Sequence, residues 1–221
     1  MAKRKNTSPS AVRGRPRNPA KLESLLTTAC RLFTTHDVNE VTMERIAAEA
    51  HVAKTTLYLY FKDKDAILEA VARQEAERLL SDDFAAQHRN MDFANVLVDI
   101  GKRLLNSSTM PEERGWQRFT FNLAISHPHL AVRMFEAGPN RVMRTLKTIL
   151  SDGISEGRLK PVDLEVAADV LVGLWEGFYR IEVEAGMRSE PNPQEIQMRA
   201  ERGVELFLRL FGCDISPDGS R

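Results

Sequence analysis

The chain has 221 residues, 43% of them hydrophobic, which is enough to bury a core in one or two domains and too apolar for a disordered protein. The opening MAKRKNTSPS has no apolar run, and no stretch approaches the ~18 uncharged apolar residues of a membrane span, so a cytoplasmic protein without membrane contact is expected. Cys30 and Cys213 give neither a disulfide framework nor a paired zinc spacing, and the net charge is zero, although twelve basic residues face seven acidic ones through position 65 and nineteen face twenty-four beyond it.

The positive excess gathers at the front, where residues 1–22 hold seven basic side chains and no acid precedes Glu23. Such an arm is either drawn to a polyanion or simply a solvated tail. Asn18 suits a helix N-cap and Pro19 the first helical position, whose N–H needs no partner. Leu22, Leu25, Leu26, Ala29, Leu32 and Phe33 then recur at helical spacing as far as His36 and Asp37. Thr42 can cap a short second helix with Ile46, Ala47 and Ala50 inward and Glu44 near its positive end. Leu57 and Phe61 mark the buried stripe of a third, and two short helices joined so tightly form a helix-turn-helix at about 42–61. Asp63 can cap a fourth helix carrying Ile67, Leu68 and Val71. Beyond it the pattern stays helical, with breaks near Ser107 to Pro111, at His127-Pro128, at Gly138-Pro139 and from Gly153 to Pro161. A long helix is expected from the cap Asp163 to about Gly186, and a final one from Asn192-Pro193 to about Phe211, so the fold class is all-α.

With Leu57 and Phe61 inward, Thr55, Tyr58, Leu59 and Lys62 must face outward, beside Lys54 and Thr56 at the helix start. A cation, hydroxyls, an aromatic hydroxyl and an apolar tip suit the DNA major groove. Lysine reaches guanine acceptors or phosphate, threonine bonds base edges or phosphate, and leucine meets a thymine methyl. The segments LESLLTTACRLF and VTMERIAAEAHVAKTTLYLYFKDKDAIL, above all TTLYLYFKDKDAIL, resemble the DNA-binding domain of the TetR family, whose signature reads TLYxxFxxKxxL. The resemblance implies that Thr42, Lys54, Thr55, Thr56, Tyr58, Tyr60 and Lys64 contact DNA, while Leu57 and Phe61 hold the recognition helix. Where the family usually has glycine after its first two helices this chain has Asp37 and His51, so both are expected to take left-handed backbone angles, which these residue types tolerate. RGRPR, from Arg13 to Arg17, is similar to an AT-hook core, and either Arg15 or Arg17 lies in a narrow minor groove or the arm acts by charge alone.

The domain boundaries that follow are a basic arm at 1–17, the helix-turn-helix domain at 18–64, and a helical ligand-binding and dimerisation domain at 65–221. The last part, through HPHLAVRMFEAGPNRVMRTLKTIL and ISEGRLKPVDLEVAADVLVGLWEGF, resembles the AefR-like group of C-terminal domains. In that architecture the last two long helices form a four-helix bundle with a second copy. Apolar surfaces on both helices agree, giving Val170, Leu174, Phe178, Val204, Phe207 and Phe211 as candidate dimer residues. Gly173 and Gly177 allow close helix approach or mark a weak point at a cavity. Trp116, Phe119, Phe121, Met134, Phe135, Met143, Trp175, Phe178 and Tyr179 either line an apolar pocket or simply pack; Asn122, Arg118, His127 and Glu176 are polar groups able to orient a ligand there.

No phosphate loop, nucleophile elbow or metal-binding helix appears, and His127-Pro128-His129 lacks a third ligand, so neither catalysis nor a cofactor or metal is expected. The function implied is a sequence-specific homodimeric regulator on a pseudo-palindromic operator, by family default a repressor released by a small hydrophobic or amphipathic effector. The alternative is an architectural DNA-binding protein without ligand response.

Overall fold

A computed structural model describes residues 19–88 and 90–213, so the capping role of Asn18 and the arm bearing Arg15 and Arg17 lie outside the described residues. Among the described residues every element is helical, apart from an isolated β-bridge between Leu159 and Gly212. Helix α1 (Pro19–Thr35) turns Leu25, Leu26, Ala29, Leu32 and Phe33 inward. They pack with α2 (Met43–Glu49), α3 (Lys54–Tyr60) and the first half of α4 (Lys64–Leu79). The helix starts follow their caps: Thr42 Oγ1 accepts the Arg45 N–H at 3.1 Å and Asp63 Oδ1 that of Ala66 at 2.8 Å. His51 takes φ 53°, as the turn after α2 requires.

Asp37 departs from expectation, because His51 is the one non-glycine residue with positive φ among those described. Instead its carboxylate accepts the Asn39 N–H at 2.7 Å and its carbonyl the Glu40 N–H at 3.0 Å. An aspartate can close its own turn in this way without entering the left-handed region.

The larger part contains α5 (Phe84–Gln87), α6 (Phe93–Thr109), α7 (Pro111–Ser126), α8 (Pro128–Ala137), α9 (Pro139–Ser155), α10 (Leu164–Trp175), α11 (Gly177–Glu184) and α12 (Pro193–Phe211). Proline opens α7, α8, α9 and α12, where a missing N–H costs nothing. Asp163 and Asn192 cap α10 and α12 as read from the sequence. The single helix expected from Asp163 to Gly186 is interrupted, since Gly177 adopts φ 46° and ends the α10 ladder. The exposed carbonyls are taken up from α12: Arg199 Nε donates to Trp175 O at 2.8 Å, and the same guanidinium reaches Glu176 O at 3.5 Å.

Two cores result, and α4 joins them. Its residues Ile67, Leu68 and Val71 belong to the DNA-binding core, which also takes in Leu123 of α7 and Leu130 and Met134 of α8. Ala76, one turn further along α4, belongs to the second core. The chain thus passes from one core to the other along a continuous helix, with residues 64–65 at its first turn. Ion pairs join it to its neighbours: Arg133 on α8 meets Asp65 and Glu69, and Arg141 on α9 meets Glu77 and, just beyond the end of α4, Asp82.

Candidate nucleic-acid interface and ligand cavity

On α3, Leu57 is fully buried and fixes the helix against the core, which leaves Lys54, Thr55, Tyr58 and Leu59 exposed on its outer face. Leu59 is 76% exposed and belongs to neither core among the described residues. Thr56 and Tyr60 are half-buried, with Tyr60 packed near Phe61 at a ring distance of 6.4 Å. Thr42 is exposed while its hydroxyl accepts the Arg45 N–H, so its own proton is still available to a phosphate oxygen. Lys64 differs from the rest, because its ammonium donates to Val38 O at 2.5 Å and ties the α1–α2 loop to the start of α4.

Electrostatics on this face are locally balanced. The Lys54 ammonium pairs with the Glu44 carboxylate of α2 and lies 5.9 Å from the centroid of the Tyr58 ring. The hydrogen bond from Lys54 holds the Glu44 carboxyl below its ordinary range, and Glu44 in turn raises Lys54. Behind the face, Glu49 receives Arg31 at 2.5 Å and Arg45 at 3.0 Å, bracing α1 against α2. A convex helix bearing exposed hydroxyls, a cation and an apolar tip can present donors and methyl contacts to base edges of duplex DNA.

A cavity of about 430 Å³ lies in the larger part, bounded by α4, α6, α7, α8, α9, α10 and α11. Its apolar wall includes Leu79, Leu104, Trp116, Phe121, Phe135, Val142, Met143 and Val172. Polar groups at its edge include Arg78, Arg103, Asn106, Gln117, Thr120, Glu176 and Arg180. Burial raises the Glu176 carboxyl above its ordinary value, opposed by Arg180 and by a hydrogen bond from Ser108. The mix of an apolar wall and a few converging polar groups is that of a small-molecule site.

Of the thirteen candidate pocket residues, the structure brings Trp116, Phe121, Phe135, Met143 and Glu176 to the cavity, whereas Met134 is buried in the DNA-binding core and Arg118 pairs with Glu184. Trp175 is instead fully buried between Gly101 and Gly203, where a Cβ on either glycine would lie 2.6 or 2.5 Å from the indole, and its Nε1 donates to Ala200 O at 3.3 Å. Phe119 stacks on Phe33 at 5.7 Å, joining the two parts rather than lining the cavity. Asn122 faces solvent, and His127 precedes α8 with its Nδ1 2.9 Å from Ser126 Oγ. Tyr179 is buried beneath the Arg199 guanidinium, 4.0 Å from the ring centroid, and Phe178 is 70% exposed on the outside. The arginines and the α4 residues of the wall were missed, since long charged side chains read as solvated faces; their one sequence signal is a cation at helical spacing from apolar neighbours.

The candidate dimer residues also divide. Val204 and Phe207 are buried in the chain's own core and cannot meet a second copy without unpacking it. Phe211 is half-buried, tilted against Phe207 at 5.1 Å. Val170 and Leu174 are half-buried and Phe178 is exposed. They share α10 and α11 with Val166 and Ile181, while α12 exposes Met198 and Leu210; these four are each at least 51% exposed. Gly173, within the α10 part of this surface, has open space where a side chain would be.

A tight pair of short helices with an exposed polar second member, joined through one helix to a cavity-bearing helical domain, defines an all-α helix-turn-helix protein. Residues 25–71 match the family model for bacterial regulatory proteins of the tetR family, and residues 95–213 match that for the AefR-like transcriptional repressor C-terminal domain. The chain belongs to the TetR family of transcription regulators. It is 26% identical over 197 residues to YdeS, an uncharacterized HTH-type transcriptional regulator of Bacillus subtilis, covering 87% of this chain and 94% of that one. Its fold is shared with a putative TetR-family regulator from Mesorhizobium loti, at a TM-score of 0.70 and 21% identity over 90% of this chain and 100% of the other. The flavonoid-responsive regulator FrrA is similar at a TM-score of 0.67 and 24% identity, over 89% of this chain and 100% of its own. Among the described residues no helix is long and apolar enough to cross a membrane.

Proposed function

We propose that this protein represses transcription as a homodimer on a pseudo-palindromic operator and leaves it when an amphipathic small molecule fills the cavity. The observation that carries the reading is the double duty of α4. Ile67, Leu68 and Val71 sit in the DNA-reading core, and Ala72, Glu75, Ala76, Arg78 and Leu79 of the same helix form one wall of the cavity. Lys64, at the first turn of α4, holds the loop that leads into α2. A molecule that displaces α4 therefore displaces the reading head. A ligand favouring the DNA-incompetent arrangement by about 100-fold supplies roughly 2.7 kcal/mol, enough to empty a marginally occupied operator.

In this reading Thr42, Lys54, Thr55 and Tyr58 meet the major groove or its phosphates, Thr56, Tyr60 and Lys64 add phosphate contacts, and Arg15 and Arg17 reach the neighbouring minor groove. The apolar face of α10, α11 and α12 pairs two copies, which sets the two α3 helices about one DNA turn apart, roughly 34–36 Å. The flavonoid response of FrrA supports an effector with an apolar ring or chain and a polar end, matching the aromatic wall and arginine edge of the cavity. The protein is then a cytoplasmic regulator and not an enzyme. Footprinting on genomic DNA tests this: a discrete protected palindrome, lost on adding an effector, is expected. Continuous coverage without sequence preference would instead indicate a DNA-coating protein.

A further inference from the structure

Glu44 is an acid on a surface that must approach phosphates, and the operator-binding reading gives it no role. It is not a structural brace: its side chain and that of Lys54 are 55% and 57% exposed, and ion pairs so open to water add little to stability. Its carboxylate is nevertheless directed at the one cation on the outer face of α3, and the Tyr58 ring flanks that cation as well. The α2–α3 pair thus presents a hydrogen-bond acceptor and a donor side by side, on helices whose starts also expose Thr42 and Thr55.

This arrangement has a complement in the major groove. A G·C pair shows two clustered acceptors, guanine N7 and O6, next to the cytosine N4–H donor. O6 and N4 are themselves hydrogen-bonded neighbours, so their spacing suits an ammonium and a carboxylate already in contact with each other. An A·T pair fits less well: its acceptors N7 and O4 stand apart on either side of the N6–H donor, and the thymine methyl crowds O4. We propose that Glu44 and Lys54 act as a unit that reads one G·C base pair in each half-site, Lys54 donating to guanine N7 and O6 and Glu44 accepting from cytosine N4. The inference rests on the operator-binding reading above. It also explains how an acid is tolerated there, because Lys54 cancels its charge and the pair contributes no net attraction to phosphate.

Binding-site selection from random duplexes, followed by salt titration, tests the assignment with full-length wild-type protein, Glu44→Ala, Lys54→Ala and the charge-matched control Glu23→Ala on the exposed side of α1. The wild type should enrich a G·C pair at one position per half-site. Glu44→Ala and Lys54→Ala should each reduce that preference by about ten-fold, at the same position and with the rest of the motif intact. Glu44→Ala alone should also steepen the salt slope by about one ion, because the freed Lys54 turns to a phosphate. Glu23→Ala should keep the wild-type motif. The proposal is overturned if Glu44→Ala returns the wild-type motif while binding all DNA more tightly, which would make Glu44 a charge shield. Loss of an A·T pair, or loss at different positions in the two variants, overturns it as well. A wild-type protein that enriched no motif would remove the regulator reading itself, an outcome distinct from all of these.

Discussion

Replacing Gly203 by alanine should change stability with opposite signs in two backgrounds, and the sign is set by Trp175. On α12 a new Cβ at position 203 would lie 2.5 Å from Trp175 Cδ1 and 3.0 Å from Nε1, closer than carbon atoms pack. The indole cannot retreat: it is fully buried, with Gly101 of α6 against its other side, 2.6 Å from where that residue's Cβ would be. Overpacking of this kind costs ~1–3 kcal/mol, against a gain of ~1 kcal/mol for alanine over glycine inside a helix. The net expectation in the wild type is a loss of up to about 2 kcal/mol, a fall in Tm of up to roughly 8 °C for a chain of this size. Trp175→Ala alone should cost ~3–5 kcal/mol. Once the indole is gone only the helix gain remains, so Gly203→Ala added to Trp175→Ala should stabilise by up to ~1 kcal/mol. Urea denaturation followed by far-UV circular dichroism at one fixed protein concentration measures the cycle without relying on tryptophan emission. An equal shift from Gly203→Ala in both backgrounds would show that the indole does not fill the space between the helices.

Phe178→Asp and Leu210→Asp, both on the exposed apolar face, should leave a folded protein that sediments as a monomer at low micromolar concentration and binds operator weakly; Phe207→Asp, placed in the core, should instead unfold it. Glu176→Gln should raise Tm at neutral pH. Burial raises the carboxyl of Glu176 above its unfolded value, so the native state is favoured by protonation: that contribution is complete below the ordinary carboxylate pKa and is lost as pH rises through the folded value. The advantage of the glutamine variant should therefore shrink as pH falls into the carboxylate range, and an advantage unchanged from pH 7.5 to 4 would contradict the assignment. Deleting residues 1–17, which carry six of the seven early basic residues, should weaken operator binding and flatten its salt dependence; an unchanged slope at low ionic strength would make the arm a bystander.

The helix starts were readable because each rests on a local rule. Thr42, Asp63, Asp163 and Asn192 all accept the backbone N–H groups that their chemistry and position indicate. The positive φ of His51 followed instead from the family resemblance, which places a glycine there, and the same expectation failed at Asp37, whose carboxylate closes its own turn. Features decided by distant partners were not. The apolar spacing from Leu171 to Ile181 runs through Gly177 without a visible stop, and the break becomes tolerable only because Arg199 arrives from α12 to satisfy the freed carbonyls. Trp175 has the same pattern whether it lines a cavity or fills a core, and Gly101 and Gly203, which settle the matter, lie on other helices. Helix α12 is apolar on two flanks; periodicity finds both but does not say that Phe207 faces its own core while Leu210 faces outward. The outer face of α3 was the most legible part of the site, because burial of Leu57 alone dictates which neighbours remain exposed. The pairing of Lys54 with Glu44 was not, since it joins two helices across the turn.

Coupling between the cavity and the reading head is the central claim, and calorimetry measures it directly. An amphipathic compound that binds the protein is titrated into the free protein and into the protein saturated with its operator. Reciprocity requires that DNA weaken the compound's binding by the same factor by which the compound weakens DNA binding, about 100-fold for the 2.7 kcal/mol coupling proposed here. Affinities that agree within error in the two titrations would mean that occupancy of the cavity beside α4 does not reach the DNA-reading helices.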